Sequence, residues 1–180
     1  SKSKISNKLT LKNISINSKI IKKNDVFFAI KGKRFDGNRF ISEAFKKKSS
    51  LVIVNRVNKA YSSSKQIKIK NTLNFLTKCS SIFRDNINAK IISITGSCGK
   101  TTLKEMIGRT LRKIAKTTYS PKSFNNRYGV PLSLLNLKHN DEFGVFEVGM
   151  DKKGEIDNLT KKIKPNIGVI TNISYAHSKN

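Results

Sequence analysis

The sequence predicts an α/β protein in two parts: a small N-terminal α/β module, residues 1–70, and an incomplete P-loop parallel-sheet domain, residues 71–180. Three observations support that expectation. Two short runs of β-formers, 25–30 and 51–54, bracket a helical pattern in the first part. In the second, the β-branched run Ile91-Ile-Ser-Ile-Thr95 enters a glycine turn, and a helical pattern opens at Lys100-Thr-Thr102. Beyond it, strand and helix patterns alternate, as they do in parallel sheets with crossover helices.

In the N-terminal part, Asp25-Val-Phe-Phe-Ala-Ile30 reads as a strand that stops at Lys31-Gly32, and Phe35-Asp-Gly37 gives a second turn signal. Residues 39–48 follow a helical pattern that places Phe40, Ile41, Ala44 and Phe45 on one face. Leu51-Val-Ile-Val54 reads as a buried strand and Ser62-Ser-Ser64 as a loop. Residues 71–86 form a predicted helix with Leu73, Leu76, Ile82 and Phe83 roughly on one side. The strand at 90–95 and a helix over 101–115 follow, the latter with Leu103, Met106, Ile107, Leu111 and Ile114 at helical spacing. A loop runs over 121–129, and a short helix starts near Val130-Pro131, since proline is tolerated in a first helical turn. A strand at 143–148, a helix at 154–163 and a strand at 166–171 complete the reading, with no internal repeat.

Composition narrows the classes of partner. The net charge of +26 invites a nucleic-acid reading, but it is mostly lysine spread along the whole chain. Arginine is scarce and no basic cluster is interleaved with aromatics, so no nucleic-acid partner is expected. Small anionic substrates would gain from such a field. No segment approaches the about 18 continuous apolar residues of a membrane span, and no signal peptide is apparent. With only Cys79 and Cys98, a disulfide framework is not expected, and a reduced cytoplasmic setting fits better. The chain starts at Ser1 and ends in Ser178-Lys-Asn180 without a closing element, which reads as a piece of a longer protein, expected to be monomeric.

The order strand, glycine loop, helix start is what a nucleotide phosphate needs. Loop N–H groups and the positive end of the helix dipole meet at one anion. Gly96, Ser97, Cys98, Gly99, Lys100, Thr101 and Thr102 form the candidate ATP-binding loop. Lys100 would neutralise the outer phosphates, and the Thr101 hydroxyl is placed to ligate Mg²⁺. Two residues separate Gly96 from Gly99, fewer than the ordinary G-x-x-x-x-G-K-[ST] pattern has.

Other residues could complete the site. Glu147, near the end of an apolar strand and before Gly149, is either a Mg²⁺ ligand or a strand-edge glutamate facing water, and the metal role is preferred. His177 follows the next strand, and ligand sites in open α/β sheets lie beyond the carboxyl ends of strands. A lone histidine has a structural alternative, and His139, in a polar connector, is assigned no role. Asn125 and Asn126 could present amides to a substrate or phosphate, and could equally be turn chemistry.

Together these pieces resemble the Mur ligases, the ATP-dependent amide-forming enzymes of peptidoglycan synthesis. The short loop Thr95-Gly-Ser-Cys-Gly-Lys-Thr-Thr102 is similar to that family's variant phosphate loop. Lys104-Glu-Met106, Asn125-Asn-Arg-Tyr-Gly-Val-Pro131, Glu147-Val-Gly-Met150 with Lys153-Gly-Glu-Ile156, and Thr171-Asn-Ile-Ser-Tyr-Ala-His177 extend the match. They resemble most the branch that joins D-alanyl-D-alanine to UDP-N-acetylmuramoyl-tripeptide. Ile16-Asn-Ser-Lys19, Asn24-Asp-Val-Phe-Phe-Ala-Ile-Lys-Gly32 and Phe35-Asp-Gly37 resemble the family's UDP-sugar-binding domain. Asn17-Ser18-Lys19 departs from the usual Asp-Ser-Arg, and Asn24 stands where glycine is usual, a position that accepts a left-handed turn.

The resemblance implies ATP and Mg²⁺ as cofactors and an acyl-phosphate route. Lys100 and His177 would be catalytic, Thr101, Glu147 and His177 would hold metal, and Ser18, Asn125 and Asn126 would bind substrate. It also implies that these 180 residues alone are inactive. Two alternatives stay open. One is the diamino-acid-adding Mur ligase acting on UDP-N-acetylmuramoyl-dipeptide, whose loop usually carries Thr-Asn at Ser97-Cys98. The other is a non-catalytic P-loop module that binds ATP.

Overall fold

A computed structural model describes residues 12–32, 35–150 and 153–174, in two compact units that divide between Phe75 and Leu76. Each unit contains one four-stranded sheet, and every pairing in both is parallel.

In the first unit, β1 (Ile14–Ser15), β2 (Val26–Phe28), β3 (Leu51–Val54) and β4 (Gln66–Lys68) lie side by side in chain order. The inner strands β2 and β3 are continuous apolar runs, as strands covered on both faces must be. Helix α1 (Ile41–Lys46) buries Ile41 and Ala44 against Phe27, Val52 and Val54. Phe45 packs at the margin, stacked on Tyr61 with ring centroids 4.6 Å apart. Phe40 does not join that face: it stays 38% exposed, because it closes a 3-10 turn (Gly37–Phe40) whose pitch differs from that of α1. Asn24 takes the left-handed backbone expected of it, with φ 72°.

The division between units falls within α2 (Thr72–Asp85). The second unit continues with β5 (Lys90–Thr95), α3 (Lys100–Leu111), β6 (Thr117–Tyr119), α4 (Gly129–Leu135), β7 (Phe143–Glu147), α5 (Glu155–Ile163) and β8 (Ile167–Ile170). The strand order is β6-β7-β5-β8, which puts β5 between β7 and β8. Alternation along the strands divides the core between the two faces. Ile91, Phe146 and Val148 pack with Val130 and Leu134 of α4 and Leu159 and Ile163 of α5. Ile92, Ile94 and Val145 pack with Leu103, Ile107 and Leu111 of α3. Glu147 has the parity of Val145, so it faces α3.

Three expected apolar contacts are corrected. Met106 and Ile114 are exposed, and the buried members of α3 are Lys104 and Gly108. Met106 lies two residues from Lys104, on the opposite side of the helix. Ile114 lies beyond the end of α3, where the Arg112 side chain caps the Thr117 carbonyl and stacks over Tyr119. Ile82 of α2 is also exposed. Among the described residues no helix is long and apolar enough to cross a membrane.

Candidate functional site

The carboxyl ends of three adjacent strands create the site. Register pairs Ile94 with Glu147 on one side of β5 and Thr95 with Ile170 on the other. The chain leaves β5 through Gly96, whose φ is 133° and where a Cβ would lie 2.1 Å from Thr171 Oγ1. Only glycine fits there. Gly99, at φ 79°, turns the chain into α3, whose first amides have no partner within the helix.

The loop is held from the β8 side. The Ser97 amide donates to the Asn172 carbonyl at 3.1 Å and the Cys98 amide to Asn172 Oδ1 at 3.0 Å. Thr171 Oγ1 donates to the Cys98 carbonyl at 2.6 Å, and the Ser174 amide to Ser97 Oγ at 2.8 Å. Two loop amides that the sequence reading assigned to a phosphate are thus engaged by Asn172. The Lys100 ammonium folds back on its own loop, donating to the carbonyls of Gly96 at 2.6 Å and Ser97 at 3.2 Å. Thr102, on the far side of the helix start, is exposed.

Glu147 is 1% exposed, which excludes the reading of a strand-edge glutamate facing water. Its Oε2 accepts from Thr101 Oγ1 at 2.7 Å and its Oε1 from Asn125 Nδ2 at 2.8 Å. Neutral groups therefore hold both oxygens, and among the described residues no cation pairs with it. Burying a carboxylate this deeply is costly unless a cation meets it.

The two asparagines do different work. Asn125 reaches Glu147, and its carbonyl accepts from the Gly149 amide at 2.7 Å. A Cβ on Gly149 would lie 2.9 Å from Asn125 Cγ, so this approach requires glycine. Asn126 is turn chemistry: its Oδ1 accepts from the amides of Tyr128 and Gly129 at the entry to α4.

A cavity of about 400 Å³ opens beside the loop, lined by Gly96, Ser97, Lys100 and Asn172 and by the apolar Met150, Ile156, Ile170 and Ile173. His177 lies outside the described residues. Among the described residues no three His, Cys, Asp or Glu side chains group to hold a metal. In the first unit, Ser18 is buried and its hydroxyl donates to Glu43 Oε2 at 2.6 Å. That donor holds the Glu43 carboxyl below its ordinary pKa, burial opposes the shift, and Lys47 reinforces it. His139 stands edge-on to Phe83, away from the loop.

Models of the Mur ligase family match the two units in turn: the Mur ligase family catalytic domain over residues 10–84 and the Mur ligase middle domain over residues 94–179. The chain belongs to the Mur ligase family. A UDP-N-acetylmuramoyl-tripeptide--D-alanyl-D-alanine ligase from Rickettsia prowazekii is 38% identical over 173 residues, covering 96% of this chain and 38% of the relative. A crystal structure of MurF from Acinetobacter baumannii superposes with a TM-score of 0.79 at 34% identity, covering 92% of this chain and 36% of that one. The MurF ligase from Thermotoga maritima, solved in complex with ADP, gives 0.76 at 33% identity, covering 95% and 40%. The chain thus spans a little over a third of the Mur ligases it matches.

Sequence reasoning gave no role to Asn172 or Lys104, although both fall in motifs it quoted. The position of Asn172 just past a strand end was a usable signal. Nothing marked Lys104, one lysine among many.

Proposed function

We propose that the chain contributes the nucleotide-phosphate site, and the start of the UDP-substrate site, of a ligase that adds D-alanyl-D-alanine to UDP-N-acetylmuramoyl-tripeptide. The observation that supports this most is the pairing of a short phosphate loop with a buried Glu147 held by Thr101. Relatives that align along nearly the whole chain are named for that reaction.

The tripeptide's terminal carboxylate attacks the γ-phosphorus of ATP, giving an acyl phosphate and ADP. The amine of D-alanyl-D-alanine then attacks the acyl carbon, the C–O bond to phosphate breaks, and the nitrogen loses a proton. Little covalent chemistry falls to the protein, so its role is positioning and charge stabilisation. Lys100 swings from the Gly96 and Ser97 carbonyls to the outer phosphates, and the α3 N-terminus supplies amide donors. The cavity between Lys100 and Met150 receives the reacting ends.

The Thr101 hydroxyl and the buried Glu147 carboxylate, already joined by a hydrogen bond, are the hard oxygen donors that would hold a Mg²⁺ ion. The burial of Glu147 with no cationic side chain paired to it among the described residues is what favours a metal at this donor pair. When bound, the ion supplies charge neutralisation at the phosphates. Asn125 holds Glu147 in place, Asn126 shapes the turn that follows it, and His177 would help to hold a second Mg²⁺ between ATP and the acceptor carboxylate. Ser18, whose hydroxyl is held by Glu43, would stand near the uridine diphosphate.

Replacing Lys100 with alanine in the complete ligase tests this. Phosphate release with all substrates present should fall to background while the circular dichroism spectrum and Tm stay near wild type. Turnover near the wild-type rate would overturn the assignment.

A further inference from the structure

Lys104 is 0% exposed, whereas every other lysine among the described residues is partly or fully exposed. Lysine is almost never fully buried unless its ammonium is paired. Here Nζ donates to the Lys122 carbonyl at 2.5 Å and lies 3.1 Å from Glu105 Oε1. Lys122 itself has φ 48°, a left-handed backbone that a non-glycine residue adopts only at a penalty. Such a conformation persists where surrounding contacts over-determine it.

The loop fixed in this way is the one that delivers Asn125. Thr101 and Lys104 stand at i and i+3 on α3, on neighbouring positions of one face. Thr101 holds one oxygen of Glu147, and Asn125, three residues beyond Lys122, holds the other. One helix turn therefore grips both the carboxylate and the loop that orients it.

We propose that Lys104 is a positioning residue for the nucleotide site: its buried ammonium ties the Lys122 carbonyl to α3 and so registers Asn125 on Glu147. This rests on the reading of Glu147 as the metal-side carboxylate given under Proposed function. Glu105 is not the reason for the burial. It is partly exposed and has Arg109 as a second partner at 3.6 Å, so solvent and Arg109 can serve it without Lys104.

The test uses the complete ligase and reads binding of a fluorescent ATP analogue as Mg²⁺ is titrated, with no turnover required. Lys104→Met keeps the apolar stem and volume and deletes the donor. It should raise the half-saturating Mg²⁺ concentration about 10-fold, the scale seen when a residue supporting a metal ligand is lost. Asn125→Ala should shift it at least as far, and the double variant no further than Asn125→Ala, because the two act in series. If Lys104→Met does not fold, Lys104→Gln serves instead, being neutral and one bond too short to restore the contact. A folded variant with a lower Tm but the wild-type Mg²⁺ requirement would overturn the proposal, and so would shifts that multiply in the double variant. Wild-type enzyme whose nucleotide binding ignores Mg²⁺ would overturn the proposed function itself, and this inference with it.

Discussion

Replacing Gly149 with alanine puts a methyl carbon 2.9 Å from Asn125 Cγ and 3.1 Å from both Nδ2 and Oδ1. The Gly149 backbone is not in the left-handed region, so the substitution acts through space alone. The Gly149 amide is bonded to the Asn125 carbonyl at 2.7 Å, which pins the main chains together. The amide side chain must therefore be the part that moves, and Nδ2 leaves Glu147 Oε1. Loss of a hydrogen bond to a charged group is worth about 1.5–3 kcal/mol, and about 2 kcal/mol corresponds to roughly 30-fold in an equilibrium constant. In the complete ligase, calorimetric titration of nucleotide at stepped Mg²⁺ concentrations should show the Mg²⁺ requirement raised by about that factor. In an Asn125→Ala background the methyl group meets little, and the same substitution should be nearly silent. An unchanged Mg²⁺ requirement in folded Gly149→Ala, or an equal effect in both backgrounds, would refute the reasoning.

In the first unit, Ser18→Ala should raise the Glu43 pKa towards the ordinary carboxylate value, read by NMR titration of its carboxyl carbon. Because the folded-state value is depressed, the Ser18 contact stabilises above about pH 4.3 and that contribution fades as pH falls through the lower folded value. A stability difference between Ser18→Ala and wild type that persists unchanged in acid would contradict this. These 180 residues alone should give no ligation in a phosphate-release assay with all substrates, and measurable product would overturn that expectation.

The fold was legible where apolar β-formers run together, in buried strands and in the exposed β8 alike. β3 and β5 run over the residues their apolar β-branched stretches mark, and β2, β7 and β8 are each within a residue or two of expectation. β1, β4 and β6 gave no such signal. Ile14–Ser15, Gln66–Lys68 and Thr117–Tyr119 are short and mixed in polarity, and they form because the neighbouring strand presents open hydrogen-bonding groups. On α3 the apolar periodicity held for Leu103, Ile107 and Leu111 and misled for Met106 and Ile114, since the innermost position belongs to Lys104 and the Tyr119 ring occupies the space over Gly108.

At the site, the order of strand, glycine turn and helix start could be read locally, because the backbone at Gly96 and Gly99, with φ 133° and 79°, favours glycine. The jobs of Asn125 and Asn126 could not. Two identical neighbours differ only in which tertiary partner each meets, Glu147 for one and the amides entering α4 for the other. The grip of Asn172 on Ser97 and Cys98 spans more than seventy residues of sequence, beyond the reach of any local pattern.

Phosphate release by the complete ligase with ATP, offered paired acceptors and amines, tests the central claim most directly. Turnover is expected with UDP-N-acetylmuramoyl-tripeptide and D-alanyl-D-alanine and none with UDP-N-acetylmuramoyl-dipeptide and a diamino acid. Turnover with the dipeptide pair alone, or ATP binding without turnover on either pair, would contradict it.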